Sequence, residues 1–172
     1  MQIDFSKLEK HLGYKINSKE TFEHALTHSS VSKTDAKGNK YNNERLEFLG
    51  DRVLNFTIAD LVFKKFPTQD EGFLSKMHAA LVSQTTLAEI ALEIDLDQYI
   101  MLGKGEAMSG GNKKPTILSD AMESILAALY IDASFEDAQN FIIKYWTPWL
   151  NKVETKDPKS KLQEILQKQG HS

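Results

Sequence analysis

Cysteine is absent from the 172 residues. That excludes disulfides and thiolate zinc sites, and it fits a reducing, cytoplasmic setting. No apolar run reaches the ~18 residues a membrane-spanning helix requires, so no membrane partner is expected. The first ten residues are polar and mixed in charge, unlike a signal peptide. Alternating apolar and polar positions are missing as well, and with them the mark of half-buried strands. An excess of positive charge is also lacking: the formal net charge is −3, which by itself does not describe a nucleic-acid binder. An acidic, cation-holding cleft would lower that count, so the objection carries little weight.

What remains is helical periodicity in a chain of single-domain length. Phe5, Leu8 and Leu12 share a face, and Gly13 stops that element. Asn17 with Glu20 three residues on reads as a capping-box start for a helix burying Phe22, Ala25 and Leu26. Residues 31–41, rich in Ser, Lys, Gly and Asn, read as a surface loop. From Asn43 to Phe66 no proline interrupts a long apolar helix, and Pro67 ends it. Asp70 and Glu71 open the next helix, where the helix dipole favours acids. A break follows at 83–86, and Leu87, Ile90, Ala91 and Ile94 resume the period. Pro115 begins a further apolar helix to Tyr130, and Ser134 with Asp137 starts a last one through about Leu150. The expectation is an all-α fold around one buried central helix, that of residues 43–66.

Its first turns carry the chemistry. Glu44, Glu47 and Asp51 fall within an arc of roughly 60°, with no basic side chain four residues after Glu44 or Glu47. Like charges so placed repel. A solvated acidic face is the ordinary reading of such a pattern. Here Leu49, Val53, Leu54, Phe56, Ile58, Leu61, Val62 and Phe63 surround the axis, and a helix apolar all round is buried. Buried acids need a partner, and hard divalent cations want oxygen ligands. Asp120 and Glu123 repeat the pattern on the second apolar helix. Packed together, the two helices would gather four or five carboxylates, a plausible metal-dependent hydrolytic site.

Other constellations are weaker. His24 and His28 lie four apart but lack a third ligand, and they read as structural histidines. Residues 103–114 are glycine-rich, yet the spacing is not that of a Walker loop and no strand precedes it. Lys104, Lys113 and Lys114 in that loop are candidate phosphate contacts, set against the plainer reading of a solvated basic turn.

The segment Glu44-Arg45-Leu46-Glu47-Phe48-Leu49-Gly50-Asp51 resembles the signature of the ribonuclease III endonuclease domain. His24–Ser30, Glu71–Ser75, Leu102–Glu106 with Ser109–Gly111, and Ile117–Glu123 resemble further segments of that family in the same order. The likeness covers about residues 5–150. It implies a ribonuclease III endonuclease-like helical domain that cleaves double-stranded RNA with magnesium, manganese serving as a substitute. The expected products carry 5′-phosphate and 3′-hydroxyl ends, and ribosomal RNA precursors are the family's usual substrate. It assigns Glu47, Asp120 and Glu123 as metal ligands, and Asp51 and Glu123 as the catalytic pair. Glu44 and Glu71 become cleft-lining acids. A homodimer is implied too, with Phe48 at its interface. On the resemblance, 1–150 is the endonuclease domain and 151–156 a linker. Residues 157–172, with Leu162, Ile165 and Leu166 on one stripe, resemble the incomplete start of a double-stranded-RNA-binding domain. A non-catalytic scaffold on this fold is disfavoured by the intact carboxylates. An all-α enzyme acting on pyrophosphates is disfavoured by the lack of an Asp-Asp-x-x-Asp cluster.

Overall fold

The computed structural model describes residues 3–155. Eight helices are present among them: α1 (Ser6–Leu12), α2 (Lys19–Ala25), α3 (Glu44–Lys65), α4 (Glu71–Leu81), α5 (Gln84–Glu93), α6 (Lys104–Met108), α7 (Pro115–Asp132) and α8 (Phe135–Thr155). Short-range signals set most of the boundaries. Gly13 takes a left-handed conformation (φ 62°) after α1, where a Cβ would be strained. Asp70 and Ser83 cap α4 and α5 by accepting the Phe73 and Thr86 N–H groups, and Ser134 accepts the Asp137 N–H at the start of α8. Pro115 occupies the first turn of α7, where its missing N–H costs nothing.

The expected centre of the fold shifts by one helix. It is α7 that is buried nearly all round, through Ile117, Leu118, Ala121, Met122, Ile125, Leu126, Ala127, Ala128 and Leu129. The signature helix α3 turns Val53, Leu54, Ile58 and Val62 inward. It leaves Phe48, Phe56 and Phe63 exposed at 61%, 60% and 68%. Its sequence is apolar on two faces, but only one of them meets the core. Around the α3–α7 pair pack α2, α4, α5 and α8. Trp146 of α8, fully buried, donates its Nε1–H to the Leu81 carbonyl at 2.9 Å and so closes the C-terminus of α4.

Four local expectations change. Ser18, not Asn17, caps α2, because the Asn17 and Ser18 N–H groups both donate to the carboxylate of Asp132 at the end of α7. The loop at 31–41 contains an antiparallel ribbon, β1 (Lys33–Thr34) with β2 (Lys40–Tyr41), the only sheet among the described residues. The glycine-rich stretch holds α6 and a 3₁₀ turn at Gly111–Lys113. The linker expected at 151–156 is helical through Thr155, as the end of α8, with Val153 packed on the core. The proposed start of an RNA-binding domain at 157–172 lies outside the described residues.

Candidate active site

Helices usually pack with their axes 8–10 Å apart, held off by side chains. At Gly50 there is none to hold them off. A Cβ built on Gly50 would overlap the Glu123 carbonyl and lie 3.2 Å from the Glu123 Cα. The α3 backbone therefore rests directly on the α7 backbone at this point. Ser124, the next residue of α7, is fully buried and donates its hydroxyl to the carbonyls of Asn43 (3.1 Å) and Asp120 (2.9 Å). Asn43 immediately precedes α3 and donates its N–H to the Thr27 carbonyl at 2.9 Å. The register of α3 on α7 is thus fixed by one backbone contact and one buried hydroxyl.

That contact brings Glu47 and Asp51 of α3 against Asp120 and Glu123 of α7. The carboxyl of Glu47 shares a hydrogen bond with that of Asp120, and Glu123 shares one with Asp51. Burial, then the negative charge of Asp120, pushes Glu47 up to about 7, with Glu44 and Asp51 adding to the rise. Burial, then the charges of Asp51, Glu47 and Asp120, pushes Glu123 up to about 8. Asp120 is also raised by burial, opposed by its bond from Glu47 and by the nearby His28. The cause is the same throughout: half-buried carboxylates of like charge crowd together, so protons are retained.

All four donors are anionic or protonated oxygens on two helices in contact, the ligand type a hard divalent cation takes. As the side chains stand, no three His, Asp or Glu among the described residues gather tightly enough to hold an ion. The donor set fits a divalent metal in kind.

Other expected residues fall at varying distance from the cluster. Glu44 is exposed on the same face and adds to the field on Glu47. Glu71, exposed at the start of α4, accepts the Ser75 hydroxyl at 3.3 Å and is not among the charges perturbing the cluster. Lys113 is committed to the buried Asp97 (2.5 Å) and Lys114 to Glu106 (2.9 Å), so neither is a free cation. Lys104 is exposed. His24 stacks on Tyr41 at 3.9 Å, which answers the histidine pair structurally. Two residues went unread in the sequence, and a third, His28, was read only as structural. Gly50 could have been flagged, since a glycine inside a helix costs ~1 kcal/mol and asks for a packing reason. Arg52 pairs with Asp51 at 3.1 Å while its guanidinium covers the Phe48 ring at 3.9 Å. His28, near enough to act on both Asp120 and Glu106, gave no separate signal.

Comparison with known proteins agrees. A family model described as ribonuclease-III-like matches residues 18–150. The chain is 42% identical over 175 residues to ribonuclease 3 of Histophilus somni, across 99% of this chain and 74% of that protein. It is 43% identical over 171 residues to ribonuclease 3 of Vibrio cholerae, across 97% of this chain and 73% of that protein. Among solved structures, the nuclease domain of ribonuclease III from Campylobacter jejuni superposes with a TM-score of 0.76 at 42% identity, over 83% of this chain and 95% of that one. That structure was described for flexibility in the region forming its dimer.

Two expectations follow from this geometry. Gly50→Ala would stabilise an exposed helix by up to ~1 kcal/mol; here the added methyl drives α3 off α7 and lowers stability, by about 1–3 kcal/mol as overpacking does. Denaturant unfolding gives the sign, and a net gain in stability would refute the backbone contact. The second concerns pH. Glu47 and Glu123 hold protons in the folded chain up to about 7 and 8, against 4.5 for the ordinary group. Their contribution is fully present below pH 4.5 and is lost as pH rises through 7 and 8. In chelator the melting temperature should fall over this window, less so in a Glu47→Gln/Glu123→Gln variant, and less so with a divalent metal added. Identical pH profiles for parent and variant would contradict the shared-proton pairs.

Proposed function

The chain belongs to the ribonuclease III family, and from that premise we propose that the α3–α7 carboxylate cluster is its hydrolytic centre. The activity is that of a metal-dependent endonuclease cleaving double-stranded RNA. Magnesium is the proposed metal, and Glu47, Asp120 and Glu123 the residues that would hold it. A bound divalent ion supplies a water made nucleophilic near neutral pH and neutralises charge on the scissile phosphate. The chain's own part is to fix the oxygen donors on two touching helices. Asp51, beside Glu123 and paired with Arg52, is the residue proposed to form the catalytic pair with Glu123. The observation that carries this reading is the seating of α3 on α7 at Gly50, which gathers Glu47, Asp51, Asp120 and Glu123 into one half-buried cluster.

Duplex RNA hides its base edges in a narrow major groove, so recognition here is by shape, phosphates and 2′-hydroxyls rather than sequence. Processing of ribosomal RNA precursors in the cytoplasm is the role proposed for it. We also propose that the chain acts as a two-fold homodimer. Phe48, Phe56 and Phe63 form an exposed aromatic stripe along α3, and large apolar patches on a soluble chain mark an interface. The division into an endonuclease domain and an appended RNA-binding element stays part of the proposal.

Glu123→Gln keeps the shape and removes the charge. Cleavage of long duplex RNA in magnesium should fall by roughly two orders of magnitude or more, the scale of losing one charge-stabilising group, while folding and RNA binding persist. Full cleavage by that variant would end the assignment. For the assembly, sedimentation should give a dimer at micromolar concentration and Phe48→Ala a shift toward monomer. A parent chain that sediments only as monomer would refute the interface.

A further inference from the structure

A chain of net charge −3 that grips a polyanion must concentrate its positive charge locally. The loop expected to do so is largely neutralised: Lys113 and Lys114 are held by Asp97 and Glu106. The β1–β2 ribbon is different. Over residues 33–41 it carries three lysines against one aspartate. Lys33, Lys37 and Lys40 are all exposed, and none faces a carboxylate within ion-pair distance among the described residues. Lys33 rests on the neutral Met101 sulfur at 3.2 Å, which leaves its charge uncancelled. Asp35 is spent on the turn, accepting the Lys37 and Asn39 N–H groups at 2.8 and 2.9 Å. The pairing sets Lys33 opposite Tyr41 and Thr34 opposite Lys40. Partners share a face and neighbours alternate, so Lys33 and Lys40 leave from opposite faces, with Lys37 at the tip.

The ribbon also springs from the site itself. Its incoming stem follows His28, whose N–H donates to the Met101 carbonyl at 3.0 Å. Its outgoing stem ends at Asn43, one residue before α3, where the Ser124 hydroxyl anchors it to α7 beside Glu123. The Ser30 hydroxyl accepts the Gly103 N–H at 2.9 Å, and no Cβ fits at Gly103, which would meet the Ser30 carbonyl at 2.5 Å. The base of the ribbon is therefore anchored to α7 next to Glu123 and to Gly103, while its three lysines are exposed.

We propose that the β1–β2 ribbon is a phosphate-gripping finger for duplex RNA, with Lys33, Lys37 and Lys40 contacting the backbone beside the strand held at the carboxylates. This rests on the functional reading above and adds to it the surface that grips the substrate. The test is a salt titration of duplex-RNA binding, with Glu123→Gln as the non-cleaving parent. The variant adds Lys33→Gln, Lys37→Gln and Lys40→Gln. Each lost phosphate contact flattens the slope of log affinity against log salt by about 0.9, so the ribbon variant should lose about 2 to 3 from its slope, with an unchanged melting temperature. Lys113→Gln should do the reverse, lowering the melting temperature by stranding Asp97 and leaving the slope alone. An unchanged slope in the ribbon variant, with cleavage by the unmutated chain intact, would overturn the finger and leave the hydrolytic reading standing. A flattened slope in Lys113→Gln alone would overturn it too. Failure of the unmutated chain to cleave duplex RNA would strike the functional reading instead, whatever the ribbon does.

Discussion

The direct seating of the α3 backbone on α7 at Gly50 is the contact from which the rest of the arrangement follows. With any side chain at that position the helices would stand at ordinary separation, and Glu47 with Asp120 and Glu123 with Asp51 would be drawn apart. Glycine costs helix propensity and contributes no packing of its own, so its presence inside a 22-residue helix is explained only by what it lets approach. The small and polar residues of α7 near the crossing, Ala121 and Ser124, serve the same end. One leaves room, and the other, fully buried, satisfies its hydroxyl on the backbone at the start of α3.

Bringing like charges together costs folding free energy, and the chain offsets it by retaining protons. Glu47 faces Asp120 and Glu123 faces Asp51 across the helix interface, and burial with the neighbouring negative charges raises both glutamates. Such a pair is a poor place for two negative charges and a good place for one proton or for a cation. The surrounding core, with α7 buried between α2, α3, α5 and α8, is what tolerates the strain.

The signature helix serves two surfaces at once. Its inner edge carries Glu47 and Asp51; its outer edge carries the exposed Phe48, Phe56 and Phe63. Arg52 links them, with its guanidinium on the Phe48 ring and one nitrogen 3.1 Å from Asp51. Phe48 and Asp51 are therefore joined through one guanidinium. Positive charge elsewhere divides in the same economical way, since Lys113 and Lys114 brace the 103–114 segment while the ribbon lysines remain open to solvent.

The sequence alone determined the helices, most of their caps and the four central carboxylates, because these depend on spacing over a few residues. Gly13, Asp70, Ser83, Pro115 and Ser134 act on their own neighbours, and Glu47–Asp51 and Asp120–Glu123 each share a face of one helix. Only the tertiary structure decided which helix is buried, since apolar residues on both faces of α3 do not say which face meets the core. It also decided that Ser18 rather than Asn17 caps α2, because the competing acceptor, Asp132, arrives from 115 residues away. The neutralisation of Lys113 by Asp97 and the role of Gly50 are likewise contacts between distant segments. Local pattern fixes which groups a helix presents; the distance at which two helices meet fixes whether those groups become one site.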